Sequence, residues 1–193
     1  MRNIFFALLA GTLFASCSKD SPTPVSVPSY QTMQHLTAHG AMFHFNHAGK
    51  YYIGCSIHQG GMSPGTQLKR KGQENAIVIK NRVHKQTDLH VWTYDEGTLS
   101  PDTALPYLKK SDIKKGDLIY ILNNGNRLEA TVTFLPQNGG HHYGYKTRKT
   151  FPAGGMSGSP IFSARTKTVI GVLQTANSKT HATQGGFEAL QMP

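Results

Sequence analysis

From about residue 38 onward, the chain alternates short apolar runs with turns rich in Gly, Asn and Pro. Several runs alternate apolar and polar positions, which is the pattern of a half-buried strand. No segment has a sustained helical period, so the pattern predicts an all-β fold. The strands predicted in this way are 41–45, 50–57, 76–79, 89–94, 113–122 (which begins with a turn), 127–135, 159–163 and 168–175.

The N-terminal residues follow a different pattern. Arg2 precedes an apolar run at 4–13, and small residues follow just before Cys17. These features are typical of a secretory signal peptide, here residues 1–16, and the run is too short to span a membrane comfortably. The end of the segment resembles a bacterial lipobox, with Phe14 where Leu is commoner. This resemblance implies cleavage after Ser16 and attachment of lipid to Cys17.

A polar segment follows the predicted lipidation site. Residues 18–29 are rich in Ser, Pro and charged groups, which predicts a tether over 17–37. The remaining 38–193 is long enough for one domain or for two small barrels that share a core. We therefore expect a membrane-anchored lipoprotein of the cell envelope, in the periplasm or at the cell surface.

The chemistry begins with a short turn sequence. Residues 155–160 read Gly-Met-Ser-Gly-Ser-Pro. Small neighbours let a substrate carbonyl approach the Ser157 hydroxyl, while the backbone N–H groups of Gly155 and Ser157 can face the developing oxyanion. A plain turn between two strands has the same composition. The motif resembles the Gly-Asp-Ser-Gly-Gly-Pro signature of chymotrypsin-like serine proteases, and more closely the Gly-Asn-Ser-Gly-Ser-Pro form of bacterial glutamyl endopeptidases.

A serine nucleophile needs a base and a carboxylate that orients the base. His58 ends an apolar run that resembles the Thr-Ala-Ala-His segment of the same family. Asp88 opens the sequence Asp-Leu-His-Val-Trp, which resembles the segment where the family's aspartate begins a strand. Asp95 and Asp102 compete on position, but the alternating apolar residues directly after Asp88 favour it. The order His, Asp, Ser is that of the chymotrypsin family.

The resemblance implies both a fold and an activity. The fold is a chymotrypsin-like double β-barrel, with barrels at about 38–107 and 108–193 and the active site in the cleft between them. The activity is that of a serine endopeptidase acting on peptides or proteins without a cofactor. Met156 departs from the Asp or Asn of the family, so the ion pair with a new N-terminus that activates zymogens is not available.

The resemblance also suggests a substrate-binding edge. The strand that contains Leu173, Gln174, Thr175 and Ala176 resembles the family's edge that pairs with the substrate by strand addition. Glutamyl endopeptidases carry a His at the position of Leu173. Trypsin-like enzymes carry an Asp six residues before the serine, where this chain has Phe151. The absence of both charged groups predicts a small or apolar P1 side chain.

The overall charge is strongly positive, with a formal net charge of +10. Such a charge can favour acidic substrates, anionic lipids or nucleic acids. The basic residues are scattered over segments such as 69–71 and 146–149, and no nucleic-acid-binding motif accompanies them. We therefore expect solvated loop charge, a membrane contact through the lipid anchor, and no nucleic-acid partner.

Other reactive side chains carry weaker signals. His44 and His47, and the pair His141-His142, lack further ligands at metal-site spacing. We therefore expect exposed loop histidines at these positions and no metal. If Cys17 carries lipid, Cys55 is the only other thiol and no intramolecular disulfide can form. Cys55 lies in an apolar run, which favours core packing, although some viral relatives of this fold use a cysteine nucleophile.

Two alternatives to a protease stay open at this stage. One is a catalytically inactive protease-fold lipoprotein that binds peptides in the same cleft. The other is a basic envelope-binding protein with an unrelated β fold. The presence of all three catalytic residue types favours an active enzyme.

Overall fold

The computed structural model describes residues 26–35, 40–56, 62–70, 76–95, 98–107, 112–137 and 140–192. Within these ranges the chain forms thirteen strands and one short 3₁₀ helix, Pro101–Thr103, and no helix there is long and apolar enough to cross a membrane. Cys17 and His58 lie outside the described residues, as does the predicted signal peptide.

The first seven strands form one sheet. All its pairings are antiparallel except that of the short edge strand β7, which runs parallel to β2. Its order is β1-β4-β5-β6-β3-β2-β7, and β1 also pairs with β2 between Met33 and Met42, so the sheet curls onto itself. We call it the first sheet. Its strands are β1 (Met33–His35), β2 (Met42–His47), β3 (Lys50–Ser56), β4 (Gln67–Arg70), β5 (Ile77–Lys85), β6 (Leu89–Tyr94) and β7 (Leu105–Pro106).

The last six strands close into a barrel with the order β10-β13-β12-β11-β8-β9. The side chains that fill it include Ile119, Ile121, Val132, Ile161 and Phe187, all buried. We call it the closed barrel. Its strands are β8 (Leu118–Asn123), β9 (Asn126–Phe134), β10 (His142–Phe151), β11 (Pro160–Ser163), β12 (Thr168–Ala176) and β13 (Ala182–Ala189).

Two hairpin turns are tighter than the sequence pattern predicts. Ala48 and Gly49 both have positive φ, 51° and 77°, and Asn124 and Gly125 have 47° and 80°. Positive φ at both central residues is the two-residue turn whose twist matches the flanking strands. Compared with the predicted strands, β2 ends two residues later, β8 ends one residue later and β9 begins one residue earlier, whereas β3 begins at residue 50 as predicted.

Basic residues at 69–70 and 146–149 lie in strands, whereas the sequence predicts loops for them. Residues 146–149 lie within β10, with Lys146, Arg148 and Lys149 exposed and Thr147 buried. Arg70 ends β4 and is buried. The charge of Lys146, Arg148 and Lys149 is therefore solvated, as the charge pattern suggests, but these residues belong to the barrel wall.

An apolar cluster shared by the two units joins the first sheet to the closed barrel. It contains Phe43, Phe45 and Val91 from the first sheet, and Phe162 and Val172 from the barrel. Backbone bonding across the same boundary is direct, because Ala41 N–H donates to the Ser157 carbonyl at 2.7 Å. The prediction of an all-β fold made of two packed barrel units is confirmed, with one unit fully closed and the other a curled sheet.

The segment before β1 bridges the two units. The Tyr30 hydroxyl donates to the His44 carbonyl in the first sheet, and the Tyr30 carbonyl accepts from Gly125 N–H in the barrel at 2.8 Å. The Val27 carbonyl accepts from the Arg127 guanidinium at 3.5 Å. Tyr30 and Val27 are both buried in the shared apolar cluster. This segment, which falls within the predicted tether, is thus part of the folded structure.

Candidate active site

Ser157 lies in the second of two consecutive tight turns, which share Met156. Met156 N–H donates to the Ala153 carbonyl at 3.1 Å, and Ser159 N–H donates to the Met156 carbonyl at 2.9 Å. The third residue of each turn is a glycine with positive φ, Gly155 at 77° and Gly158 at 88°. Glycine adopts this backbone conformation without strain. The glycines of the motif are therefore required by the backbone path that presents the serine.

The Ser157 turn is anchored to β12. Gly158 N–H donates to the Leu173 carbonyl at 2.7 Å, and Leu173 N–H donates to the Ser159 carbonyl at 2.9 Å. The half-buried Ser157 hydroxyl donates to the backbone carbonyl of Gln174 at 3.1 Å. The Ser157 hydroxyl is thereby held at the boundary between the closed barrel and the first sheet.

Asp88 lies in the turn between β5 and β6, which closes through a bond from Gln86 N–H to the Leu89 carbonyl at 2.8 Å. The residue is only 6% exposed. Its Oδ1 accepts from the Ser56 hydroxyl at 3.3 Å. Its backbone N–H donates to Glu188 Oε2 in the closed barrel at 2.7 Å. The carboxylate is thus buried at the same boundary as Ser157.

The competing aspartates lie in different surroundings. Asp95 is 38% exposed on its side chain and pairs with Lys80 at 2.6 Å. Asp102 is exposed in the short 3₁₀ helix. Of these three carboxylates, Asp88 alone is buried against the closed barrel. Asp88 thus differs from the other two in its burial and in its contact with the closed barrel.

Ser157 and Asp88 are connected through two side chains that the sequence analysis did not assign to the triad. Gln174 Nε2 donates to Glu188 Oε2 at 2.6 Å, and the same oxygen accepts from Asp88 N–H. His142 Nδ1 contacts Gln174 Oε1 at 2.9 Å, which fixes the orientation of the amide. His142 begins β10, so it is not the loop histidine that was expected. The sequence offers one signal for Glu188, which is the single charged residue in the otherwise apolar stretch Phe-Glu-Ala-Leu at 187–190.

The predicted substrate-binding residues divide into two sets. Phe151 and Leu173 are buried in the barrel core, whereas Thr175 is exposed and Ala176 is half-buried. The pairing of β11 with β12 ends at Val172, and β13 continues along the other side of β12 to Ala176. Among the described residues, the β11 side of β12 therefore has no paired strand beyond Val172. On this side, the Ser157 turn bonds to the backbone of Leu173 and Gln174, so the predicted edge is partly occupied by that turn.

A depression of about 410 Å³ adjoins this end of β12. Tyr145 lines this depression, and its hydroxyl donates a hydrogen bond to the Thr175 carbonyl at 3.2 Å. No charged residue is among its lining residues, which are Thr133, Tyr145, Thr175, Ala176, Asn177, Gln184 and Gly185. A larger cavity of about 700 Å³ lies in the first sheet beside Tyr51, Tyr52 and Tyr94, and contains none of the predicted site residues.

The alternative nucleophile is chemically unsuited to the role. Cys55 is 1% exposed, and its thiol contacts the His90 carbonyl at 3.7 Å. Burial raises the pKa of the Cys55 thiol to about 12. A thiol with such a pKa is almost entirely protonated near neutral pH and is a poor nucleophile. Cys55 therefore packs in the core of the first sheet.

Among the described residues, no group of three or more His, Cys, Asp or Glu side chains could hold a metal ion.

No protein-family model matches the chain, and no curated protein sequence matches it. Solved structures do. The active form of the Rv3671c protease from M. tuberculosis has a TM-score of 0.59 at 14% identity, covering 95% of this chain and 89% of that chain. The serine protease of a human pathogenic astrovirus has 0.58 at 17%, covering 86% and 93%. Kallikrein-related peptidase 10 has 0.60 at 14%, covering 85% and 90%.

These identities are low, so the comparisons establish the fold. The chain has the chymotrypsin-like fold, and the solved structures similar to it are serine proteases. They include an inactive form of the Rv3671c protease, with a TM-score of 0.55 at 16% identity over 84% of this chain and 83% of that chain. The class that the fold and the comparisons define together is that of proteins with the chymotrypsin-like protease fold.

Proposed function

We propose that the protein is a serine endopeptidase whose triad is His58, Asp88 and Ser157. The Ser157 hydroxyl attacks the peptide carbonyl while His58 takes its proton. The N–H groups of Gly155 and Ser157 stabilise the oxyanion. His58 then protonates the leaving amine, and an acyl-enzyme forms. Water, deprotonated by the same imidazole, releases the acid and restores the serine.

The observation that carries this proposal is the convergence of Ser157 and Asp88 on one hydrogen-bonded group. Ser157 contacts Gln174, and Gln174 and Asp88 both donate to Glu188. Ser56, which donates to Asp88, precedes His58 by two residues in the sequence. The proposed base thus follows in the sequence directly after the strand end that is bonded to the buried carboxylate.

The decisive experiment is reaction of the purified protein with a fluorophosphonate probe, followed by a peptide-cleavage assay. We expect the wild type to be labelled on Ser157 and to cleave peptides, and Ser157→Ala to do neither. Ser163→Ala is the control, because the Ser163 hydroxyl is buried in the barrel wall, where it accepts from Thr166 N–H at 3.2 Å, away from the Ser157 turn. A wild-type protein that is neither labelled nor cleaves any peptide would overturn the proposal.

A second candidate is a peptide-binding protein without catalysis. The observation that favours it is Met156, which stands where the family has Asp or Asn and packs half-buried against the barrel core. The same experiment separates the two functions. Binding of peptides by a protein that is not labelled by the probe would favour the inactive form.

We also propose that the mature protein is anchored to the cell envelope through lipid on Cys17. The support is the sequence of the first 17 residues, which resembles that of a bacterial lipoprotein. Its substrates would then be peptides or proteins that reach the membrane surface. The small or apolar P1 preference belongs to the same proposal.

A further inference from the structure

Glu188 is a buried carboxylate that the proposed mechanism does not use. It lies on β13 with 0% exposure. A buried carboxylate is costly unless donors surround it. Its Oε2 accepts from Asp88 N–H at 2.7 Å and from Gln174 Nε2 at 2.6 Å, and its Oε1 contacts Gln86 Nε2 at 3.4 Å. These donors come from both the first sheet and the closed barrel.

Both short bonds of Glu188 lead to the proposed triad. One donor is the backbone of Asp88 itself. The other is the side chain of Gln174, whose backbone carbonyl accepts the Ser157 hydroxyl. A single carboxylate oxygen therefore holds the turn that carries the aspartate to the strand that anchors the serine. The sequence separation of these two partners from Glu188 is 100 and 14 residues.

We propose that Glu188 is a positioning residue that fixes the Asp88 turn relative to the Ser157 turn. This inference rests on the proposed function. The two bonds, at 2.7 and 2.6 Å, are at or below the lower end of the usual range for N–H···O bonds, so they hold their partners closely. Triad geometry tolerates little error, because a displacement of about 1 Å can cost on the order of 10²-fold in rate.

The role requires an acceptor at Glu188. The Gln174 amide is held with its oxygen toward His142 and its nitrogen toward Glu188. An amide oxygen in place of Glu188 Oε2 can accept from the same two donors. Glu188→Gln should therefore preserve the position of Asp88, whereas Glu188→Ala and Glu188→Leu remove the acceptor. Leu also fills most of the space, so it separates loss of the acceptor from loss of volume.

The test measures saturation kinetics of fluorophosphonate labelling on full-length protein, together with the melting temperature. For Glu188→Ala and Glu188→Leu, we expect the maximal labelling rate to fall on the order of 10²-fold while the half-saturating probe concentration changes by less than about threefold. Glu188→Gln should stay within about fivefold of the wild type in both quantities. Rates are compared well below each melting temperature, on folded protein.

Leu68→Ala controls for lost stability alone. Leu68 is fully buried in the core of the first sheet, so its truncation should lower the melting temperature without changing the maximal labelling rate. Unchanged rates in Glu188→Ala and Glu188→Leu overturn the positioning role while leaving the protease intact. A Glu188→Gln variant as slow as Glu188→Ala also overturns the positioning role. Failure of both Glu188→Ala and Glu188→Leu to fold overturns it as well. A wild type that does not react overturns the proposed function itself.

Discussion

The hydroxyl of Ser56 donates a hydrogen bond of 3.3 Å to Oδ1 of Asp88, and both residues are buried. Ser56 is the last residue of β3, and Asp88 lies in the turn that leads into β6. The bond therefore ties the candidate carboxylate to the end of the strand from which the chain continues to His58. A structural role and an orienting role for Asp88 can be separated, because an amide can still accept this bond.

Replacing Asp88 by Asn should lower kcat on the order of 10³- to 10⁴-fold with little change in the melting temperature. The amide oxygen can accept from Ser56, but the side chain no longer stabilises an imidazolium or selects its productive tautomer. Asp95→Asn and Asp102→Asn serve as controls and should be within about twofold of the wild type. Steady-state kinetics on a peptide substrate measure all three. Inactivation by Asp95→Asn together with an unaffected Asp88→Asn would contradict the assignment.

His58→Ala and Ser157→Ala should each reduce peptide cleavage on the order of 10⁴-fold or more, and the double variant should be hardly slower than either one. The reason is that nucleophile and base act in one proton transfer, so removing either abolishes the same step. Cleavage rates of the three proteins, prepared in parallel, measure the coupling. Losses that multiply in the double variant would show that the two residues act independently.

Cleavage should follow small or apolar residues. The prediction rests on the resemblance that aligns Phe151 and Leu173 with charge-reading positions of trypsin-like enzymes and glutamyl endopeptidases, because both residues here are apolar and buried. The depression beside Thr175 also has no charged lining residue. Profiling on a peptide library measures the preference directly. Predominant cleavage after Glu, Asp, Lys or Arg would contradict this prediction.

The stability of the fold should fall as the pH drops from about 6.5 to about 4, because of His44. Thr103 donates its hydroxyl to the Ser100 carbonyl, so its oxygen accepts from His44 Nδ1, and the Tyr94 hydroxyl then donates to Nε2 at 2.8 Å. Burial, followed by the nearby charge of Arg70, lowers the pKa of His44 to about 4. The unfolded chain therefore takes up the proton first as the pH falls.

The stabilisation from neutral His44 is fully present above pH 6.5 and is lost on approach to pH 4, up to on the order of 3 kcal/mol. Urea unfolding at several pH values in this window measures the slope. His44→Gln should be less stable at pH 7.5 but should lose less stability on acidification than the wild type. An equal slope in both proteins would exclude His44 as its source.

Cys17→Ser should abolish lipid attachment and release the protein from the membrane fraction of a bacterial host. Labelling with an alkyne fatty acid and fractionation measure the two effects. Cys55→Ala is the matched control and should keep the lipid, because Cys55 is buried in the folded domain. An unmodified cysteine in the mature native protein, detected by mass spectrometry, would contradict the proposed anchor.

The sequence pattern predicts much of the fold because several strands alternate clearly around Asn- and Gly-containing turns. It misses β10 and β13 for different reasons. The exposed residues of β10 include Lys146, Arg148 and Lys149, which have the composition of a loop. The middle of β13 contains Gly185 and Gly186, although β-strands are depleted in glycine. At Gly185, a Cβ atom would lie 2.0 Å from the Thr175 carbonyl oxygen, so this close approach between strands requires glycine.

The candidate site is predictable only in its local parts. The Ser157 turn is visible because its glycines and proline are adjacent in the sequence. The bond between Glu188 and Asp88 joins residues 100 positions apart, and no periodicity links them. Gln174 was assigned to the substrate edge from its position on β12, but its side chain is buried and bonded to Glu188 and His142. Only the packed structure distinguishes the backbone role of Gln174 from that of its side chain.

The bridging segment at Val27 and Tyr30 determines how mechanical load would enter the folded domain. A pull on the chain before residue 26 would reach Val27 and Tyr30 before it reaches β1. Their backbone carbonyls are bonded to Arg127 and Gly125 in the closed barrel, while the Tyr30 side chain is bonded to His44 in the first sheet. Tension from an anchor would therefore be divided between the two units, instead of peeling a terminal strand away from one of them.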